Sequence, residues 1–155
     1  MSETDPLIEV VVHVNHPLPA DLNVDRLARL VVFALQAEER GRGWSVSVVL
    51  VGDPELQELH RRFMDIDEPT DCMTFPRDPE DDDEPGGDIV ISVDRAAEQG
   101  PESGLTASAE TEFLAVHGVL HLCDWDDQTD EDRAAMHSRQ RDIIGQFDLS
   151  DRGLI

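Results

Sequence analysis

Lysine is absent from this sequence, and cysteine occurs only twice. Cys72 and Cys123 are too few for a disulfide framework, so we expect two free thiols that pack as small core residues in a reducing cytoplasm. No apolar run approaches the length that a membrane-spanning helix needs. The first ten residues, MSETDPLIEV, also lack the basic and apolar regions of a signal peptide. These absences predict a cytoplasmic protein without a membrane segment.

Because lysine is missing, all 12 basic residues are arginines, and they stand against 35 acidic residues. The formal net charge of −23 repels polyanions at low salt, which, taken alone, argues against nucleic acid as a partner. The same charge is typical of proteins from a salt-adapted cell. That hypothesis predicts that the stability of the protein depends on salt, and a stability without salt dependence would contradict it.

The length of 155 residues fits one domain, 1–155, with one hydrophobic core. Valine-containing apolar stretches predict strands at 7–14, Trp44–Val51 and 88–93, and the short extended segment 70–75, between Pro69 and Pro76, predicts a fourth. An acidic run at 77–87, RDPEDDDEPGG, predicts a solvated loop between the last two strands.

Helical periodicity appears between and after these strands. The apolar residues at 27, 30, 31, 34 and 35 predict a helix from about 24 to 39. Asn23 or Asp21 is the expected N-cap of this helix, and Gly41 and Gly43 are expected to end it.

Further helices are predicted along the rest of the chain. Asp53 is the expected N-cap of a second helix, with Pro54 in its first position. A short helical piece is predicted at 94–99, a strong helix at Ala107–Leu122, and a last helix from Thr129 or Asp130 to about 147. Apart from the short piece, the order is β-α-β-α-β-β-α-α, which indicates a single α/β or α+β layer architecture.

The stretch HGVLHLCDWDD, residues 117–127, has the spacing of a metal site. His117 and His121 lie about 40° apart on one helical face, as in a two-histidine metal clamp. Asp127 is the expected third ligand and Asp126 the alternative, with a fourth position open to water. Two histidines at this spacing also occur as surface or satisfied core residues, and that alternative stays open here.

Two neighbouring residues restrict this interpretation. Cys123 lies roughly 200° around the helix from His121, so it is expected to pack rather than to join the clamp. Gly118 occupies the position where an HExxH zinc protease needs its glutamate base. A protease of that class is therefore disfavoured.

Three segments of the sequence resemble one known family. HGVLHLCDWDD is similar to the HGxLHLxGYDH motif of the YbeY family, bacterial rRNA maturation factors described as metal-dependent endoribonucleases. DEPTDCMTFP, residues 67–76, is similar to that family's PTDVLSFP segment, and GDIVIS, residues 87–92, to its GDIVIS strand. The three motifs occur in the family's order and cover about residues 44–147. The resemblance implies a YbeY-like metal-binding α+β domain with a small mixed four-stranded sheet, about five helices and a metal site at the end of a central helix.

The resemblance also implies the ligands of one metal ion. Carried over, the zinc ligands are His117, His121 and Asp127, where the family has a third histidine. The exchange of histidine for aspartate lowers the soft-donor character of the site, so Mn²⁺ or Mg²⁺ is less disfavoured. Asp124 replaces a family glycine at the turn after the helix; aspartate tolerates a left-handed conformation better than most residues.

The strongest departure from the family lies upstream. Met64 occupies the position of a family arginine that is implicated in function, and methionine cannot contact a phosphate. Arg61 or Arg62 could replace that arginine, although they project from different faces of the predicted helix. His60 could face the metal cleft or could be a plain helix histidine.

The family's activity supplies the functional expectation. It is metal-dependent cleavage of RNA at the 3′ end of small-subunit (16S) rRNA, within the ribosome. His117 would hold the metal that takes part in the reaction, and Asp126 or His60 would assist proton transfer. Thr70 and Asp71 are expected to shape the cleft wall or to form a turn network. Two alternatives remain: a non-catalytic ribosome-associated factor that binds a ribosomal protein or GTPase, and a metallohydrolase with another substrate.

Overall fold

Four strands form one mixed sheet in the order β1-β2-β4-β3. The computed structural model describes residues 8–77 and 85–154, so most of the predicted acidic loop at 77–87 lies outside the described residues. The strands are β1 (Ile8–Val14), β2 (Trp44–Val51), β3 (Cys72–Pro76) and β4 (Gly86–Ser92). β1, β2 and β4 run parallel, and β3 pairs antiparallel with β4. The predicted mixed four-stranded sheet is confirmed.

Five α-helices accompany the sheet in the described part of the chain. They are α1 (Val24–Ala37), α2 (Asp53–Met64), α3 (Val93–Gln99), α4 (Ala107–Leu122) and α5 (Asp130–Asp151), with one 3₁₀ turn at Pro101–Ser103. None of the helices in residues 8–77 and 85–154 is both long and apolar enough to cross a membrane. The α+β class and the number of helices are as predicted.

The main core lies on one face of the sheet. Val46, Val48 and Leu50 of β2 point to this face, because side chains alternate along a strand, and they are at most 1% exposed. Helices α1 and α4 pack against these side chains, and α5 packs on both helices. The predicted apolar stripe of α1 is confirmed, since all five of its residues are fully buried: Leu27, Leu30, Val31, Ala34 and Leu35.

The opposite face of the sheet is covered only in part among the described residues. Leu56 of α2 packs there with Val51, Met73 and Val90 in a second, smaller cluster. Val11 of β1 stays 45% exposed. Helix α2 is therefore placed over the β4-β3 end of the sheet, on the side away from α1.

Two predicted helix caps were wrong. Gly52, not Asp53, is the N-cap of α2, and its N–H donates to the Glu55 carboxylate at 2.6 Å. Asp53 instead lies inside the first turn, where it forms an ion pair with Arg95 at 3.1 Å. Asp53 therefore does not cap the helix, because its side chain binds Arg95. Local sequence patterns do not reveal a partner this distant in sequence.

The end of α1 was also predicted wrongly. The helix stops at Ala37, and Glu39 rather than a glycine takes the left-handed conformation, with φ 61°. The Arg40 N–H then donates to the Leu35 carbonyl at 2.8 Å, which closes the helix end. The last helix starts as predicted, with Thr129 as its N-cap, but continues to Asp151 instead of 147.

Candidate metal centre

Helix α4 is the element that carries the two predicted histidine ligands. Its N-terminus is capped by Thr106, whose side chain accepts from the Ala109 N–H at 3.0 Å. Gly118, in its second half, lies so close to the sheet that an added Cβ would be 2.5 Å from Ile89 Cγ2. The glycine therefore allows close packing of α4 on β4, which fixes the height of His117 and His121 above the sheet.

The turn after α4 brings the chain back toward these histidines. Asp124 adopts a left-handed conformation with φ 74°, so the prediction that aspartate can serve at this glycine position is confirmed. The Asp124 N–H donates to the His121 carbonyl at 3.1 Å and the Trp125 N–H to the Leu120 carbonyl at 2.9 Å. These are the two bonds of a Schellman motif, which reverses the chain direction at a helix end.

The structure brings His117, His121 and Asp127 together, as predicted. The Nε2 atoms of the two histidines are 3.0 Å apart. Asp127 Oδ2 lies 3.3 Å from each of them. Ligand atoms held about 2.0–2.1 Å from a tetrahedral zinc ion lie roughly 3.3–3.4 Å from one another. The three atoms therefore outline one face of a coordination site of suitable size.

Both histidines are held by their other ring nitrogen. Gln140 donates from Nε2 to the Phe113 carbonyl at 3.1 Å, so its Oε1, 3.0 Å from His117 Nδ1, accepts from that nitrogen. His121 Nδ1 lies 3.2 Å from the Trp125 carbonyl, which can only accept. Both rings consequently carry their proton on Nδ1 and present an Nε2 lone pair to the centre of the group.

This arrangement fits a divalent cation. Two lone pairs that face each other at 3.0 Å repel unless a positive charge lies between them, and the Asp127 carboxylate supplies a negative charge. Two imidazoles and one carboxylate form a donor set that suits Zn²⁺, with Mn²⁺ as a harder alternative. Among the residues the structure describes, these three form the group of ligand-type side chains that could hold a metal ion.

The group opens into a cleft of about 410 Å³. His60 and Met64 of α2 line it together with Thr70, Asp71 and residues of β3. His60 Nδ1 lies 2.9 Å from the Glu68 carbonyl, so it donates there and leaves Nε2 as the basic nitrogen. The structure thus places His60 on the metal cleft, the first of the two positions considered for it.

The arginines that were considered as replacements for the family arginine point elsewhere. Arg61 and Arg62 both pair with Glu58 on the exposed side of α2, at 2.5 and 3.6 Å. Neither belongs to the described side chains that line the cleft, whereas Met64 does. The family arginine therefore has no substitute from α2 at this cleft.

The other residues considered from the sequence, Asp126 and the two cysteines, do not belong to the metal group. Asp126 is exposed, and its carboxylate accepts from the Gln128 N–H at 3.1 Å. Cys123 packs in the core at 7% exposure, and burial raises the pKa of its thiol to about 11. Burial also raises the pKa of Cys72, which lines the cleft near Thr74. Both thiols are free, as expected.

Two supporting residues escaped the sequence analysis. Gln140 is fully buried in α5, and the signal for it is a polar residue within the apolar stripe of Met136, Ile143 and Phe147. Glu38, just after α1, accepts from the Trp125 indole N–H at 2.8 Å and from Arg139 at 2.7 Å. No local pattern marks Glu38, because both of its partners are distant in sequence.

Comparisons with known proteins agree with this geometry. A family model described as Endoribonuclease YbeY matches residues 15–148. The endoribonuclease YbeY of Oceanobacillus iheyensis is 40% identical over 134 residues, which cover 80% of this chain and 87% of that protein. The endoribonuclease YbeY of Bacillus velezensis is 35% identical over 154 residues, which cover 93% and 97%. The solution structure of TM1509 from Thermotoga maritima is similar with a TM-score of 0.63 at 25% identity, covering 95% of this chain and 93% of that one.

The family match spans the metal group, the helices α2 and α4 on the two sides of the cleft, and most of the sheet. The relatives are matched over most of their own length, so the similarity is not confined to one motif. The chain therefore belongs to the endoribonuclease YbeY family of hydrolases that act on RNA.

Proposed function

We propose that the protein is a metal-dependent endoribonuclease that processes ribosomal RNA in the cytoplasm, with one ion held by His117, His121 and Asp127. The observation that carries this proposal is the convergence of two Nε2 lone pairs and one carboxylate oxygen within 3.0–3.3 Å. The group borders a cleft that also contains a basic histidine nitrogen. This combination supports hydrolysis better than a buried structural metal, because a structural site is closed on all sides.

We propose Zn²⁺ as the ion. When bound, such an ion polarises a phosphate oxygen and lowers the pKa of a water at the open position. The residues of this chain hold the ion and set its charge. Two neutral imidazoles and one carboxylate leave a net charge of about +1, more favourable for an anionic phosphodiester than a set with more carboxylates.

His60 is the proposed proton-transfer residue. Its Nδ1 is committed to the Glu68 carbonyl, so Nε2 can accept or return a proton in the cleft. Asp126, the other candidate, is supported less well, because it is exposed and its carboxylate binds the Gln128 N–H. We expect His60→Gln to lower kcat by about 10²–10⁴-fold while the metal content stays unchanged.

The proposed substrate is the 3′ end of small-subunit rRNA, presented within the ribosome. Bulk electrostatics oppose free RNA, since the chain carries a net charge of −23. No arginine belongs to the described side chains that line the metal cleft. Affinity must then come from the metal, from contacts outside this cleft and from delivery by the ribosome, and we expect cleavage of free RNA to be weak at low salt.

Cleavage of a single-stranded rRNA 3′-end fragment tests the proposal. Wild-type protein and His117→Ala are compared after identical purification, at several salt concentrations and with metal content measured on each sample. We expect cleavage by the wild type and its loss in the variant, with His13→Ala, a change in the exposed end of β1, as the matched control. Equal residual cleavage in wild type and His117→Ala would indicate a contaminating nuclease and would contradict the proposal.

One observation favours a second function. Met64, 57% exposed, stands where the family has an arginine, so the cleft lacks that phosphate contact. A wild type that retains one metal and binds small ribosomal subunits, but cleaves no RNA, would support a non-catalytic assembly factor. In that case the metal would join α4 to its following loop, and the partner would be a ribosomal protein or GTPase.

A further inference from the structure

A second and larger cavity adjoins the metal cleft. Its volume is about 860 Å³, and its lining includes His117 and Asp71, which also line the metal cleft. A volume of this size is within the range of small-molecule sites in proteins. A ligand that fills it therefore lies directly beside any group bound at the metal.

The rim of this cavity carries a free cation. Arg141 of α5 is exposed and lines the cavity, and no described carboxylate forms an ion pair with it. Arg26, the other arginine in the lining, is already neutralised by Glu112 at 2.8 Å and Asp148 at 2.5 Å. Arg141 is thus available to bind a phosphate. An arginine without a described carboxylate partner is unusual in a chain whose net charge is −23.

The wall nearest the metal ligand is formed by two rings. The centroids of the Phe113 and His137 rings are 5.6 Å apart, with an angle of 58° between their planes. His137 also lies 6.2 Å from the ring of His117. Aromatic and imidazole faces of this kind are the surfaces on which proteins stack unpaired bases of RNA.

Asp71 and Glu110 line this cavity together with Gln99 and offer hydrogen-bond acceptors. Gln99 donates its amide N–H groups to Asp71 Oδ2 at 3.0 Å and to Glu110 Oε2 at 2.7 Å. Glu110 is only 6% exposed, and each carboxylate has further lone pairs that can accept. This pair of carboxylates suits a base edge with an amino group, such as cytosine or adenine, and it repels the carbonyl groups of uracil.

We propose that this cavity binds one unpaired nucleotide of RNA next to the scissile phosphate. Arg141 contacts its phosphate, the Phe113 and His137 rings contact its base, and the Asp71–Glu110 pair accepts from its amino group. The inference rests on the proposed function, because it places the nucleotide relative to a phosphodiester at the metal. It adds a preference for bases that carry an amino group. It also assigns to Arg141 part of the role of the family arginine that Met64 replaces in this chain.

Mononucleotides test the site without cleavage. The metal-loaded full chain is titrated with CMP and with UMP by calorimetry, since the two differ at the edge that faces the acceptors. We expect CMP to bind at least about fivefold more tightly than UMP, the effect of one hydrogen bond of about 1 kcal/mol. Glu110→Gln, which introduces a donor, is expected to bring this ratio close to one.

A pair of arginine variants tests the phosphate contact without disturbing the core. We expect Arg141→Ala to weaken CMP binding at least about fivefold, and to raise the KM for RNA with little change in kcat. Arg133→Ala is the matched control, because Arg133 is an exposed arginine of the same helix that pairs with Asp130 and does not belong to the described side chains that line the cavity. Its CMP affinity is expected to equal that of the wild type.

Equal affinities for CMP and UMP, or equal effects of Arg141→Ala and Arg133→Ala, would overturn the inference. RNA cleavage by the wild type is measured separately, so the two proposals fail in different ways. Cleavage without CMP preference leaves the proposed function intact and removes the nucleotide site. CMP preference without cleavage leaves the nucleotide site and removes the proposed catalytic function.

Discussion

The two walls of the metal cleft are built differently. Helix α4 buries eleven of its sixteen residues between the sheet and three other helices, whereas α2, with twelve residues, buries only Leu56. The α4 wall carries both histidines of the metal group. The α2 wall carries His60, and at its end Phe63 and Met64 are 60% and 57% exposed. The two histidines of the metal group thus lie on the rigid wall, and His60, the proposed proton-transfer residue, lies on the exposed one.

The difference follows from what each helix contacts. Helix α4 packs against α1, α3, α5 and the sheet, so its apolar residues face in several directions. Helix α2 is held mainly by a small apolar cluster and by the Asp53–Arg95 ion pair at its start. Metal ligands must be held accurately to a fraction of an ångström. We infer that this accuracy requires a helix buried on most sides, as α4 is.

Truncation of the two walls should have unequal effects on stability. We expect Leu120→Ala on α4 to lower the free energy of unfolding by about 2–5 kcal/mol, because the residue is fully buried and leaves a cavity. Met64→Ala on α2 should change it by less than about 0.5 kcal/mol. Urea unfolding measures both. Similar values for the two variants would contradict the contrast between the walls.

The support of the rigid wall extends to the histidine rings. Gln140→Leu removes the acceptor that holds the His117 proton on Nδ1, so we expect metal affinity to fall by about 10–100-fold. Gln146→Leu, an exposed glutamine of the same helix, is the control and should bind metal as the wild type does. Competition with a chromophoric chelator gives both affinities. Unchanged affinity in Gln140→Leu would show that packing alone orients the ring.

The stability that the Asp53–Arg95 ion pair gives to the exposed wall should depend on pH. Burial raises the pKa of Asp53, but hydrogen bonds from Arg95 and Ser92 outweigh it, so the net pKa lies below the ordinary 3.8. The ionised group therefore stabilises the fold above its unfolded pKa, and this contribution is lost as the pH falls through the lower folded pKa. We expect Asp53→Asn to cost about 0.5–1 kcal/mol near pH 7, with the difference from the wild type shrinking below about pH 4. Unfolding at several pH values measures this, and a difference that grows in acid would contradict the assigned ion pair.

The smallest effect is expected at the turn between the rigid wall and the third ligand. Asp124→Gly removes a side chain from a left-handed position, so we expect the free energy of unfolding to rise by a few tenths to about 1 kcal/mol. Metal content should stay unchanged. Thermal unfolding tests this, and a loss of stability would mean that the Asp124 side chain contributes a contact of its own.

Much of the rigid wall could be predicted from the sequence. Helical spacing places His117 and His121 on one face, and the buried stripe of α1 follows from the same periodicity. Three of the four strands follow from their valine-containing patterns, and β3 follows from the two prolines that bound it. The order β1-β2-β4-β3 could not be derived from these patterns, because it depends on which distant segments pair.

Two polar side chains whose roles were not predicted share one physical cause. Asp53 was expected to cap its own helix but pairs with Arg95, and Gln140, to which the sequence assigned no role, holds His117. In both cases a partner distant in sequence decides what a polar side chain does, and local propensities contain no information about it. Spacing and the family resemblance both favoured Asp127 as the third ligand and left Asp126 as the alternative; the structure places Asp127 beside the two histidines.

The direct test of the central claim is the metal content of the folded chain. Protein purified without chelator is analysed for zinc, manganese and other metals, next to His121→Ala and the control His13→Ala. We expect about one divalent metal per chain in the wild type and in the control, and none in His121→Ala. A folded wild type without metal, or a His121→Ala variant with as much metal as the wild type, would contradict the assignment of His117, His121 and Asp127 as the site.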